Sequence, residues 1–262
     1  VYVTVSQEKW EKAQGMVAAT VAETEENQGW LIRKDLERRR GFLLYVTRTF
    51  PATVPYLKGF HLTIDGWRGN RNGDGWKYYS KEVRELQERG EDVAMPEPPE
   101  APKEVKAKAR LVECDLPALT RLFGSEHPPK RRIRSKQVVT VYYGFGDASQ
   151  DGFGFNIQKP DEDTIHYRFG QWCDTISEQS SNYRELFNLV CRLEEMVKEG
   201  SLRGSEVFLF TDNATAESVY YKGNSSSQTL FELMLRLRDL EMKGDMVLHV
   251  VHVAGTRMQG EG

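Results

Sequence analysis

Cysteine is scarce in this chain: Cys114, Cys173 and Cys191 stand far apart among 262 residues, with no C-x-x-C pair. That spacing argues against a disulfide frame or a thiolate zinc site and predicts buried thiols in a reducing compartment, cytoplasm or nucleus. Long hydrophobic runs are missing as well. No apolar stretch approaches the ~20 residues that cross a bilayer, so no membrane partner is expected. No signal-peptide core follows Val1, and a chain opening on valine reads as a fragment or a processed product. Neither Gly144–Gly146 nor Gly152–Gly154 precedes a helix, which removes the phosphate-loop reading. Ser149 and Ser225–Ser227 have no His–Asp arrangement that would make a nucleophile.

What is present is a soluble-protein composition, 39% hydrophobic, 29% charged and 11% aromatic, with enough apolar residues for a real core. The net charge of −3 hides an asymmetry. From Val139 onward there are 11 Lys and Arg against 19 Asp and Glu, leaving 25 and 20 of the totals of 36 and 39 for the first part. The acidic part alone is poorly suited to a phosphate backbone. Basic clusters at Arg33–Lys34, Arg38–Arg40 and Lys130, Arg131, Arg132, Arg134 and Lys136 could supply the missing charge, though each alone reads as a solvated face or a linker.

Helical spacing of Trp10, Ala13, Val17 and Val21 predicts a helix over 6–24, capped by Thr4 or Ser6. Ile32, Leu36, Leu43, Val46 and Phe50 predict a second helix ending at Pro51. A short helix is expected from Pro55 to Ile64 with an extended exit, then a loop over Gly66–Gly75 and a charged helix from about Trp76 to Glu88. The proline-rich Met95–Lys103 reads as a stiff linker, Leu116–Phe123 as a short helix, and Pro128–Arg132 as a second hinge. The predicted units are 1–94, a linker over 95–137 and 138–262. Within the last, strands are expected at 138–145, 152–158, 164–169, 206–211 and 246–253. Helices are expected at about 181–199, 213–221 and 227–243. Strands before and after a helix imply a mixed five-stranded α/β sheet with flanking helices and parallel central strands, preceded by a small mainly helical domain.

Two of those strands end on aspartates, Asp147 and Asp212, and the helix between them carries Glu185 near its start. Sites in open sheets form at the carboxyl ends of parallel strands. Three carboxylates gathered there repel one another unless divalent cations hold them, which points to metal-dependent phosphate chemistry. Each residue also has an ordinary role: Asp147 could begin the following turn, Asp212 could cap the helix at Asn213, and Glu185 could close a capping box with Asn182. Their joint occurrence in this order carries the inference. His249 and His252, three apart on a strand, point to opposite faces and read as core or edge histidines rather than a metal pair.

Residues 138–262 resemble the ribonuclease H domain, in particular the version fused to retrotransposon reverse transcriptases. The resemblance runs through Gly146, Asp147, Ala148 and Ser149 with Gly152 and Gly154, then Ser181, Asn182, Glu185 and Leu186. It continues through Thr211, Asp212 and Asn213 to His252, Val253, Ala254 and Gly255. More loosely, Arg33–Leu36, Gly41–Tyr45, Phe50–Pro51 and Pro55–Leu57 are similar to the thumb or connection region of such enzymes, with no polymerase palm. The resemblance implies that Asp147, Glu185 and Asp212 hold two Mg²⁺, with Mn²⁺ as a substitute. It implies hydrolysis of the RNA strand of an RNA/DNA hybrid and a polymerase domain in cis or trans. Asn182 matches a position that contacts the minor groove of the hybrid, and Ser149, Asn213, Lys130, Arg131 and Arg132 are the other candidate nucleic-acid contacts. Two departures stand out. The fourth carboxylate of the family either lies just beyond Gly262, or is replaced by Glu261, or is lacking with activity impaired, and Thr256 stands where cellular members carry a histidine. The competing reading is a catalytically silent nucleic-acid-binding or scaffold domain of the same fold.

Overall fold

The structure is a computed structural model that describes residues 2–67, 85–86, 88–91, 100–132, 140–160 and 163–254. The expected loop over 66–75 and helix over 76–88 lie outside the described residues, apart from a turn at Gly66–Trp67 and helical Glu85, Leu86 and Glu88. Most of the proline-rich stretch lies outside them too.

The first unit is mainly helical. Strand β1 (Tyr2–Val3) leads into α1 (Gln7–Glu26), whose N-cap Ser6 accepts from the Lys9 amide at 3.4 Å. Trp10, Ala13 and Val17 form its buried face, as expected, and Trp10 sits edge-on to Phe50 and Phe123 at 5.4 and 4.9 Å between ring centres. Then come β2 (Trp30–Ile32), α2 (Arg33–Thr47), a 3₁₀ segment at Pro51–Leu57 and α3 (Lys58–Ile64). The chain leaves α3 through a turn rather than an extended exit.

Two expectations for this unit give way to tertiary pairing. Ile32 is not on a helix face; it belongs to β2, which pairs antiparallel with β3 (Glu104–Lys106) in the register Leu31 opposite Val105. Residues 104–123, read from the sequence as part of a linker, fill the first core: Val105, Leu111, Leu116, Leu119, Leu122 and Phe123 are buried in it. They do so through β3, a wide helical turn at Arg110–Asp115 and α4 (Leu116–Leu122). Strand β4 (Arg131–Arg132) then pairs with β1.

The second unit carries β5 (Val141–Ala148), β6 (Gly152–Gln158), β7 (Ile165–Gln171), α5 (Asp174–Ser177), α6 (Ser181–Lys198), β8 (Glu206–Thr211), α7 (Ala214–Lys222), α8 (Gln228–Gly244) and β9 (Val247–His252). Only α5 was not foreseen. The sheet order is β7-β6-β5-β8-β9, with β5, β8 and β9 parallel and β6 and β7 antiparallel. This is the mixed five-stranded α/β sheet with flanking helices, preceded by a mainly helical region, that the sequence predicts.

Alternation along β5 and β8 sends Tyr142, Gly144, Gly146, Val207 and Leu209 towards the helices, and Tyr143, Phe145, Phe208 and Phe210 to the other face. There Phe145 stacks on Phe210 at 4.8 Å and Phe208 on His249 at 4.5 Å, so His249 is a packed sheet histidine. On the helix side two glycines set the depth of packing. A Cβ on Gly146 would meet Leu189 of α6 at 2.6 Å, and one on Gly144 would meet Leu209 at 3.0 Å and Phe155 at 3.2 Å.

Helix α8 joins the units. Its Phe231, Met234 and Leu235 lie in the first core, and its Leu230, Leu233 and Leu237 in the second. Tyr56 donates to the Met234 sulfur at 2.8 Å, and Arg121 pairs with Glu232 at 3.0 Å and Asp239 at 2.9 Å.

Substituting Gly146→Val should therefore lower stability by about 1–3 kcal/mol, the usual range for overpacking, because Leu189 is itself fully buried and has little room to retreat. Urea denaturation followed by far-UV circular dichroism should show the midpoint fall.

Candidate active site

Strands β5 and β8 are parallel neighbours with Phe145 opposite Phe210. Two residues further along each chain, Asp147 and Asp212 reach the same level at the carboxyl edge of the sheet. Glu185 comes from α6, which Gly146 of β5 lets approach closely. One oxygen from each of the three carboxylates lies within 4.8 Å of the others; Glu185 is buried and both aspartates are exposed.

The ordinary roles open to these residues are taken by their neighbours. Ser149 builds the β5–β6 turn: its amide donates to Gly152 O at 2.9 Å, and its hydroxyl accepts from the Gly152 amide at 3.1 Å. Ser180, not Asn182, is the N-cap of α6, accepting from the Tyr183 amide at 3.3 Å. Glu185 is therefore in the second turn rather than the first, and it closes no capping box. Asn213 caps α7, its Oδ1 accepting from the Thr215 and Ala216 amides at 2.8 and 3.1 Å. Asp212 is left without a capping role, and among the described residues none of the three carboxylates is ion-paired.

The electrostatics follow from this crowding. Burial, then the charges of Asp212 and Asp147, push the Glu185 carboxyl up to about 8. Its Oε2 is buried without a hydrogen-bond partner. Arg184 beside it does not neutralise the cluster, because its guanidinium donates to the carbonyls of Ser177 and Gln179. An orphaned buried carboxylate oxygen facing two more carboxylates is a donor set of hard oxygens only. It fits a hard divalent cation and gives no soft ligand for copper or zinc.

Around this edge, the Asn213 Nδ2 donates to Asn182 Oδ1 at 2.8 Å, which places two of the predicted nucleic-acid contacts side by side. Ser149 lies in the exposed turn after Asp147. Lys130 and Arg131 are exposed but belong to the first unit, where β4 pairs with β1, and not to the sheet that carries the carboxylates; Arg132 lies on the same strand. The other basic clusters are largely consumed internally: Arg33 pairs with Glu37, Arg38 with Asp35, buried Arg39 with Glu23, and Arg40 contacts His61. His252 is exposed, and its backbone amide donates to Glu217 at 3.1 Å. It is not part of the carboxylate group. Thr256 and Glu261 lie outside the described residues.

One residue here had no flag in the sequence. Asn188, fully buried one turn after Glu185, donates through Nδ2 to the carbonyls of Asp147 at 3.1 Å and Gly154 at 2.7 Å. It pins strand β5 to the helix that bears Glu185. A polar residue between Phe187 and Leu189 on an otherwise apolar helix face was the available signal.

No family model and no curated protein matches the sequence. Among solved structures, the chain is similar to the ribonuclease H1 of the halophilic archaeon Halobacterium salinarum NRC-1, at 16% identity over 46% of this chain and 89% of that one, with a TM-score of 0.37. It is similar also to LC11-RNase H1, solved in complex with an RNA/DNA hybrid, at 20% identity over 45% and 86%, with a TM-score of 0.38. A foamy viral protease-reverse transcriptase in complex with double-stranded DNA aligns over 77% of this chain and 35% of that one, at 10% identity and a TM-score of 0.32. These are distant likenesses; the site rests on the strand order and the carboxylates of this chain itself.

Two outcomes are expected. A carboxyl raised above its unfolded value favours the folded state fully below about 4.5, and this contribution is lost as pH rises through about 8. Metal-free protein should therefore lose thermal stability between those limits, and Glu185→Gln should flatten that dependence, as read by differential scanning fluorimetry in EDTA. Asn188→Leu should weaken divalent-cation affinity by roughly 10-fold or more, the range typical of residues that position ligands, measured by Mn²⁺ titration.

Proposed function

We propose that this chain is a divalent-metal-dependent endonuclease that hydrolyses the RNA strand of RNA/DNA hybrids, as the C-terminal part of a retroelement reverse transcriptase. The observation that carries the reading is the convergence of Asp147, Glu185 and Asp212 within 4.8 Å at one sheet edge, with none of them ion-paired among the described residues. The resemblance of residues 138–262 to ribonuclease H domains supports the same assignment.

In this reading the three carboxylates bind two Mg²⁺, or Mn²⁺ in their place. Bound there, such ions supply an activated water and charge neutralisation at the leaving oxygen. Asp147 and Asp212, on adjacent parallel strands, set the spacing of the ligands. Glu185 closes the site from the helix side, and the bound cations keep its raised carboxyl ionised. Asn188 holds the backbone of Asp147 in place. Asn182 and Asn213, hydrogen-bonded to one another, present amide groups at the start of α6 and α7, where a 2′-hydroxyl distinguishes RNA from DNA. The first unit, fastened to α8, extends the surface along which a duplex could lie, and Lys130 and Arg131 supply exposed positive charge on it. The wider assembly in this proposal includes a polymerase domain in cis or trans, and the setting is intracellular.

A second reading is a catalytically silent binding or scaffold domain. It is favoured by the internal pairing of Arg33 and Arg39, which leaves less free cationic surface than the sequence promises.

Incubating the full chain with a labelled hybrid and Mg²⁺ separates the two. Cleavage of the RNA strand should be lost by roughly 1,000-fold in Asp147→Asn and in Asp212→Asn, with melting temperature in EDTA not lowered, since several kcal/mol of transition-state stabilisation go with the metals. A wild-type chain that binds hybrid but never cuts it would sink the enzyme assignment in favour of the scaffold.

A further inference from the structure

Strand β7 borders the sheet: it pairs with β6 on one side and, among the described residues, with no strand on the other. Natural edge strands are usually short, bulged, broken by proline or covered by a helix or loop. This one runs for seven residues, Ile165–Gln171, with no proline, and its register with β6 is continuous from end to end, so no bulge twists it away. The helices on the sheet pack mainly over β5 and β6 (α6) and over β8 and β9 (α7).

Two properties coincide on alternate residues of this strand. Ile165, Tyr167 and Phe169 share one face of the sheet and are 38%, 63% and 85% exposed. The same residues own the free backbone groups. The Trp172 amide donates to the Asp151 carbonyl at 2.9 Å, so with the register given, Gly170, Arg168 and His166 bond to β6. Ile165, Tyr167 and Phe169 therefore turn N–H and C=O towards the open edge.

We propose that this edge docks a second copy of the chain, the two β7 strands pairing antiparallel about a two-fold axis at Tyr167. Only outward-facing residues can exchange backbone bonds across the edge, which restricts the register. An axis at His166 sets Phe169 against Asp163, and an axis at Arg168 sets Ile165 against Gln171 and brings two arginines face to face, which is unfavourable. With the axis at Tyr167, that residue meets its own copy and Ile165 meets the partner's Phe169, with about six backbone hydrogen bonds formed. His166 then lies opposite the partner's Arg168, whose charge stays with Glu199 at 3.1 Å on its own subunit. Phe169 and Tyr167 leave roughly 200–400 Å² open on each copy, taking ~150–250 Å² for a whole aromatic residue. With Ile165 and the backbone edge added, the two copies together reach the order of 1,000 Å² that a specific interface needs. An area at that lower bound gives a reversible dimer with Kd roughly in the micromolar range. Strands β6 and β7 stand between this edge and β5, so the dimer leaves the carboxylates open.

Sedimentation velocity of the full chain over a dilution series tests this. Wild type should pass from monomer to dimer between roughly 1 and 100 µM. Phe169→Lys places a charge on the open face, and Tyr167→Pro removes an outward N–H that takes no part in the ladder to β6. Each should weaken dimerisation by roughly 10-fold or more while the melting temperature holds. The register has its own check, made in a Cys173→Ser background that removes the exposed native thiol. There Tyr167→Cys should form an intermolecular disulfide under mild oxidation and Ile165→Cys should not, because only position 167 meets its own copy within disulfide reach. A chain that stays monomeric throughout overturns the proposal, as does a dimer indifferent to Phe169→Lys, or cross-linking as ready at 165 as at 167. A monomeric wild type whose binding of an RNA/DNA hybrid is lost in Phe169→Lys overturns it too, and assigns the face to nucleic acid. If Tyr167→Pro proves unstable, Phe169→Lys decides alone, since that side chain has no packing to lose.

Discussion

Close approach of one helix to one strand is the constraint on which the rest of the second unit depends. Gly146 presents no side chain to α6, so Leu189 and Asn188 come down onto the backbone of β5 itself. A larger residue there would lift the helix. That intimacy brings Glu185, borne on the helix, within reach of Asp147, borne on the strand. The parallel pairing of β5 and β8 then adds Asp212 at the same level. Packing on one face of the sheet thus decides the charge density at its edge.

The resulting cluster is electrostatically unfavourable by itself, since like charges at this separation cannot all remain ionised in a partly buried setting. The protein tolerates the cost in Glu185, whose carboxyl is shifted and whose second oxygen is left without a partner. Buried polar atoms are nearly always satisfied in folded chains, so an unpartnered carboxylate oxygen facing two further carboxylates costs stability where it stands. Structural duties have been delegated to Ser149, Ser180 and Asn213, each one or a few residues from a carboxylate it relieves.

Much of the second unit was legible because its signals are local. Turn-bounded residues 152–158 and the short apolar run at 206–211 located those strands to the residue, and the periodic leucines of 181–198 located the helix. The start of that helix was legible but its cap was not, because Ser180, Ser181 and Asn182 are all competent caps and only tertiary geometry chooses among them. The first unit was less legible. The three-residue pairing of Trp30–Ile32 with Glu104–Lys106 spans more than 70 residues of chain and carries no periodicity. Proline and charge around Met95–Lys103 suggested a linker that continued too far, whereas Leu111, Leu116 and Leu119 reach into a core that the sequence could not locate. Asn188 escaped notice because its partners are backbone carbonyls, which a sequence does not display.

Helix α8 has a consequence of its own. An ordinary surface helix buries one stripe, but this one is clad on two sides, by Phe231, Met234 and Leu235 in one core and by Leu230, Leu233 and Leu237 in the other. It cannot melt without uncovering both cores, and neither core can open while it stays in place. Two modules that look separable along the sequence are thereby joined into a single cooperative unit. Heated in a calorimeter, the chain should absorb its enthalpy in one transition, with calorimetric and van't Hoff values in agreement.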